Sequence, residues 1–144
     1  MRSMLPGGLI DTGAIVALLD ASESRHQMCL EALARHLPLL TTEAVLTELF
    51  YFVQERSLGF DAAWRFVRSG AIQLEPISDV ALSALHGLMS KYADHPMDFA
   101  DATLVHLAGS KGLSTILTLD YNDFETYRLP GGKKFRIVPG RRQI

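Results

Sequence analysis

The residues of this chain that are equipped for chemistry are carboxylates, set where hydrophobic patterning would not choose them. Asp11 closes the apolar pair Leu9-Ile10 and is followed at once by Thr12-Gly13-Ala14-Ile15-Val16-Ala17-Leu18-Leu19, apolar at helical spacing. That is how a buried strand reads when it ends on an acid and turns straight into a helix. Asp11 then either caps the helix or faces a ligand, because open α/β sheets bind ligands outside the carboxyl ends of their strands. Asp120 repeats the arrangement after the apolar run 114–119, inside Thr118-Leu119-Asp120-Tyr121-Asn122-Asp123-Phe124. Parallel strands put the two aspartates on one edge of the sheet.

Glu48 lies within a helical run over 43–56, with Ala44, Val45, Tyr51 and Phe52 three and four residues to either side. A carboxylate on such a stripe is costly to bury alone; the alternatives are a boundary position that reaches water, or pairing with Arg25 or Arg35. Asp98 and Asp101 are three residues apart and share one helix face, in a first turn where the positive helix end favours acids. Capping accounts for Asp98 more readily than for Asp101, which already stands in the run Ala102-Thr103-Leu104-Val105-His106-Leu107-Ala108. Converging carboxylates resist joint ionisation unless a cation joins them. Hard divalent ions such as Mg²⁺ or Mn²⁺ meet that need, activate water and stabilise charge on a phosphoryl group. The acids therefore point to metal-dependent phosphodiester hydrolysis.

The elements that must position these acids follow from the same reading. The pattern predicts a helix over 26–36, a short strand over 38–41, and the 43–56 helix with Thr42 as its cap. Asp61 is expected to cap a helix carrying Trp64, Phe66 and Val67, which Ser69-Gly70 stops. A strand over 71–77 precedes a helix opened by Ser78 or Asp79 and running to about residue 92. Asp94-His95-Pro96 forms a turn, a helix covers 98–110 with Lys111-Gly112 as its stop, and strands cover 114–119 and 135–138. Strands alternating with helices argue for an α/β fold in three layers, a parallel sheet of about five strands with helices on both faces.

The chain has 144 residues and no linker or repeat that would divide it, so a single domain over 1–144 is expected, with 1–8 as a loose leader and 128–144 as a basic segment. That segment holds Arg128, Lys133, Lys134, Arg136, Arg141 and Arg142 and no acid, in a chain of net charge −2. A basic tail on an acidic body suits a polyanion gripped beside an acidic site, and Lys133, Lys134 and Arg136 are the candidate contacts, the alternative being a solvated surface. The single cysteine, Cys29, excludes a disulfide framework and a thiolate zinc cluster and suits a reducing cytoplasm. No apolar run approaches the ~18 residues of a membrane span.

The blocks LIDTGAIVALLD, TTEAVLTELF, PMDFADATLVHLA and ILTLDYNDF, in that order, resemble the PIN-domain ribonucleases, and among these the toxin nucleases of VapBC-type toxin–antitoxin pairs. The resemblance runs from about Leu9 to Phe124. It implies that Asp11, Glu48, Asp101 and Asp120 are the acids of a metal-dependent endoribonuclease, with Asp11, Asp98, Asp101 and Asp120 around the ion and Asp98 and Asp123 at positions that are often acidic. Thr12 and Thr118 fit the small hydroxyl positions beside the strand-end aspartates. The resemblance also implies Mg²⁺ or Mn²⁺, an RNA substrate, an antitoxin partner and a homodimer. The aromatic group Phe50, Tyr51, Phe52, Trp64 and Phe66 with Val67 would supply partner surface or ordinary core.

Other readings make different demands. A PIN-like module that binds RNA or protein without cutting is the alternative; a missing acid would favour it, and none of the four main ones is missing. Asp11-Thr12-Gly13 also resembles the aspartic-protease motif, which needs an all-β setting and a second copy supplied by a homodimer. A haloacid-dehalogenase phosphatase needs an acid where Gly13 stands. His86, His95 and His106 match no compact zinc spacing.

Overall fold

The computed structural model describes residues 5–141. Its centre is a five-stranded, all-parallel sheet. In chain order the elements are β1 (Gly8–Ile10), α1 (Thr12–Leu19), α2 (His26–His36), β2 (Leu39–Thr41), α3 (Glu43–Glu55), α4 (Phe60–Val67) and β3 (Ile72–Leu74). A 3-10 turn (Asp79–Ala81) leads into α5 (Leu82–Lys91). Then come α6 (Phe99–Lys111), β4 (Thr115–Leu117), α7 (Tyr121–Thr126), β5 (Arg128–Leu129), a turn over Pro130–Gly132, β6 (Lys133–Lys134) and β7 (Arg136–Val138). Helices flank the sheet as a three-layer α/β/α sandwich.

The sheet order is β3-β2-β1-β4-β7. The chain thus steps outward from β1 through β2 to β3, then returns to the other side of β1 to lay down β4 and β7. The reversal falls between β1 and β4, and such a switch point leaves a crevice at the strand ends. Leu9, Ile10, Leu39, Leu40, Ile116 and Leu117 of the central strands are all buried, as strands covered on both faces require. At roughly 1.5–3 kcal/mol per buried aliphatic side chain, these strands and the helix faces over them supply the main drive for folding.

Several expected elements take a different form. The strand over 71–77 shortens to Ile72–Leu74, because β2 offers only Leu39–Thr41 to pair with. The helix after Ser78 begins as a 3-10 turn. Gly59, not Asp61, precedes α4, and Asp61 lies in its first turn. Thr42 stands at the N-cap of α3 but makes no capping bond; its hydroxyl is 2.8 Å from that of Thr103 on α6. The short helix α7 and the antiparallel pair β5–β6 were not foreseen by patterning, being too brief to show a period. Of the aromatic group, Phe50, Phe52, Phe66 and Val67 pack partly buried against the core, whereas Tyr51 and Trp64 are exposed. Residues 1–4 of the expected leader and Arg142 of the basic segment lie outside the described residues, and Gly8 opens β1 rather than ending a leader.

Gly7 fits one close approach. Its N–H donates to Pro38 O at 2.8 Å, and a Cβ there would stand 2.2 Å from the His36 carbonyl oxygen. Backbone cannot yield as a side chain does, so Gly7→Ala is expected to cost about 1–3 kcal/mol, read as a lower urea midpoint. Gly87→Ala in the middle of α5, where a Cβ meets nothing within 4 Å, is expected to be neutral or to add about 0.5–1 kcal/mol.

Candidate active site

The switch point carries the acids. Ile10 pairs with Leu117, so the next residue of each strand, Asp11 and Thr118, face one another, with the Asp11 N–H 3.3 Å from Leu117 O. The buried Thr118 hydroxyl donates to Asp11 Oδ2 and accepts the Asp120 N–H at 2.9 Å. Asp11 Oδ1 accepts the Ala14 N–H at 3.0 Å, so this carboxylate caps α1 and also meets β4. The expected capping role of Asp11 is thus present. A protease-like loop is not: Asp11-Thr12-Gly13 joins a parallel strand to a helix.

The Thr12 hydroxyl, one residue on, donates to Glu48 Oε1 at 2.7 Å. Glu48 is half-buried at the boundary of α3, beside the stripe Val45, Leu49 and Val53. Its hydrogen-bond partner is thus a threonine, while Arg25 reaches Glu23 at 3.6 Å. Asp98 caps α6 by accepting the Asp101 N–H at 2.8 Å. Asp120 caps α7 by accepting the Asp123 N–H at 3.3 Å.

Asp11, Glu48, Asp98, Asp101, Asp120 and Asp123 line one cleft of about 440 Å³, together with Thr12, Gly13 and Phe52. No lysine, arginine or histidine is among the described residues lining it. Sequence patterning missed two residues that support this set. Tyr127, fully buried, donates its phenol to Asp101 Oδ2 at 3.0 Å. Its ring is wedged among Tyr92, His95 and Phe124 at centroid distances of 5.1, 6.0 and 5.2 Å. His95 Nε2 lies 2.5 Å from Asp123 Oδ1. Both residues reach the acids only through the unforeseen α7 and the turn before α6, and no motif announces either.

The basic candidates are not brought to this cleft. Thr115 pairs with Arg136, so Arg136 stands at the opening end of β7, the opposite edge of the sheet from Asp11 and Asp120. It lines a groove with α2. Lys133 lines a small cleft near the C-terminal end of α6, with Ala108, Gly112 and Ser114, and Lys134 pairs with Arg128 across the β5–β6 ladder. The last strand does run beside the sheet, and because it is parallel to β4 its first residue, Arg136, lies at the edge away from the strand-end aspartates.

Burial, the larger cause, pushes Asp11 up to about 7, with the charges of Asp120 and Glu48 adding and the bonds from Thr118 and Ala14 opposing. Asp101 is pushed up to about 8 by burial and then by Asp98, with the Tyr127 bond opposing. Burial likewise raises Asp120 and Glu48. An all-oxygen set with no cation of its own suits a hard divalent ion. Among the described residues no three of these side chains are closed on a single point; Asp11, Glu48 and Asp101 accept hydrogen bonds from Thr118, Thr12 and Tyr127.

The raised carboxylates set a pH dependence. Below about pH 4 they are protonated in folded and unfolded chain alike and contribute nothing. As pH rises, the unfolded chain ionises first while Asp11 and Asp101 keep their protons, so the fold holds more protons and loses stability until about pH 8. The metal-free protein is expected to lose on the order of a few kcal/mol between about pH 5 and pH 8, measured by urea unfolding. A saturating divalent ion should restore it at the upper pH, and a midpoint that rises with pH in EDTA would contradict this account.

Comparison with known proteins agrees with this geometry. The PIN-domain family model matches residues 8–129. The chain is 32% identical over 145 residues to ribonuclease VapC26 of Mycobacterium tuberculosis, an alignment covering 91% of this chain and 99% of that protein. Among solved structures it resembles M. tuberculosis VapC20, a toxin that cleaves the sarcin–ricin loop, with TM-score 0.70, 20% identity, and 81% and 93% of the two chains covered. It also resembles DNA-bound VapBC of Salmonella typhimurium, with TM-score 0.64, 18% identity, and 92% and 98% covered. A crevice of carboxylates at the switch point, the match over most of its length and the VapC relative together place the chain in the PIN-domain family.

Proposed function

We infer that this protein is an endoribonuclease of the VapC type that hydrolyses RNA phosphodiester bonds with a divalent ion, Mg²⁺ or Mn²⁺, as the toxin of a toxin–antitoxin pair in the cytoplasm. The observation that carries the reading is the single cleft lined by Asp11, Glu48, Asp98, Asp101, Asp120 and Asp123. The nuclease activity is supported by the VapC26 relative, and PIN-domain ribonucleases are generally divalent-metal dependent.

Asp11, Asp101 and Asp120 would hold the ion, with Asp98 at the rim. When bound, the ion supplies a Lewis acid and a water of lowered pKa. The chain's own residues do the rest. Thr118 fixes the plane of the Asp11 carboxylate, and Tyr127 engages one oxygen of Asp101. Glu48, raised by burial and oriented by Thr12, would be the candidate to take the proton of the attacking water. Asp123, paired with His95, would be an accessory acid of the same cleft.

The antitoxin and a second copy of the chain are the partners this reading implies. Tyr51, Phe60 and Trp64, apolar and exposed along α3 and α4, offer surface for one of them. In solution the purified protein is expected to cleave RNA with added Mg²⁺ or Mn²⁺ and to stop in EDTA. Asp11→Asn should lower cleavage by on the order of 10²-fold or more without lowering the melting temperature. An Asp11→Asn protein that cuts at the parent rate would falsify the mechanism.

A further inference from the structure

A second, larger cleft lies further along α6. It holds about 560 Å³ between α5, α6 and the turn that joins β5 to β6. Lys91, His106 and Arg128 line it, no acidic side chain is among its described lining residues, and Val105, Leu129 and Pro130 give it an apolar floor. It is the inverse of the carboxylate cleft, in a chain of net charge −2.

The two clefts share a helix. Asp101 lines the first and Val105 and Gly109 line the second. Residues four apart form one ridge of a helix, so this ridge runs from acids to bases over about 12 Å at 1.5 Å per residue. The crossing is continuous in the chain as well, since Tyr127 bonds Asp101 and the next residue is Arg128. The guanidinium is fixed in place, with Nη1 donating to the carbonyls of Glu125, Thr126 and Tyr127 at 2.5, 3.1 and 3.0 Å. Its backbone N–H donates to the Tyr92 hydroxyl at 2.9 Å. Lys91 lies over the Tyr92 ring, 5.3 Å from its centroid. Arg128 is therefore held by the carbonyls at the end of α7, and Lys91 rests on the Tyr92 ring.

We propose that this cleft grips the single-stranded RNA flanking the scissile bond, with a phosphate on Lys91 and Arg128 and the body of a nucleotide on Val105, Leu129 and Pro130. The proposal rests on the ribonuclease reading above. A carboxylate cleft repels a polyanion until a cation fills it, so the strand must be held elsewhere, and a guanidinium and an ammonium lining one cleft match a phosphodiester. A basic groove that tracks the backbone holds single strands without reading sequence, and Lys91 and Arg128 supply that charge here, with the apolar floor in place of aromatic stacking. A smaller adjoining cleft shares Gly109, Leu129 and Pro130 and reaches Lys133, which extends the same track. Lys133 thereby acquires a role that its distance from the acids denied it.

The test uses the full chain carrying Asp11→Asn to block cleavage, with a divalent ion present, and a single-stranded oligoribonucleotide titrated over a salt series. Gly87 lines the cleft and a Cβ there meets nothing within 4 Å, so Gly87→Glu starts an acidic side chain at the cleft with no clash at its Cβ. Gly87→Glu and Lys91→Glu are each expected to weaken binding roughly tenfold at low salt and to lower the slope of log affinity against log salt by about 0.7 per lost phosphate contact. Gly87→Ala should keep the parent slope, and divalent-ion affinity by calorimetry should be the same in all. Parent affinity and slope in both glutamate variants, from a wild-type chain that cleaves RNA, would overturn the grip while leaving the ribonuclease standing. A wild-type chain that cuts no RNA would overturn both. Tight binding of a polyglutamate peptide, lost in the glutamate variants while RNA binding is not, would reassign the cleft to an acidic protein segment.

Discussion

The Thr118 hydroxyl is the contact on which the site depends most. It has one proton to give and gives it to Asp11, while its lone pairs take the N–H of Asp120. One buried atom therefore sets the distance between the two strand-end aspartates and the plane of the first. Its place is a product of register: with Ile10 opposite Leu117, residue 118 must meet residue 11. A slip of one residue would turn every side chain of β4 to the other face, so the central sheet and the cleft stand or fall together.

The remaining acids are held in the same manner, by uncharged donors. Thr12 holds Glu48 and Tyr127 holds Asp101, and the buried Thr42–Thr103 contact ties α3 to α6, so Glu48 keeps its place relative to Asp98 and Asp101. Had arginines or lysines done this work, each carboxylate would have been neutralised and its pKa lowered. Hydroxyls orient without neutralising, and the cleft keeps an unmet demand for positive charge. The fold sustains that demand through the apolar burial of Leu9, Ile10, Ile116 and Leu117 directly behind it.

What could be read in the sequence was whatever left a period or a punctuation mark. Asp11 and Asp120 stood out because each ended an apolar run, and Glu48 because it interrupted a helical one. Asp98 and Asp101 followed from their spacing, and Gly112, with φ of 67°, from its role as a helix stop. The supporting partners were invisible for a physical reason. A tyrosine in an aromatic cluster looks like core, and Tyr127 is core except for its hydroxyl. His95 sat in a predicted turn, with nothing to link it to a helix start twenty-eight residues later. Thr42 read as a cap because threonine before a helix usually is one, and only the packing of α3 on α6 redirected its hydroxyl. The basic tail shows the opposite failure: composition located the cations but not the direction of the strand that carries them.

The β5–β6 ladder stands outside the five-stranded sheet. Its turn touches α6 where Gly109 passes beneath Pro130, close enough that a Cβ on Gly109 would lie 3.3 Å from the proline ring. Phe135, stacked edge-on to Phe124 at 5.5 Å, pins the far end. Between those anchors the hairpin contributes no strand to the central sheet and no side chain to the carboxylate cleft. Gly131 and Gly132, at φ of 79° and 76°, and Pro130 against Gly109 hold the path of the turn, so Lys133 and Lys134 are the positions where the hairpin can change its charge while the carboxylate cleft keeps its lining.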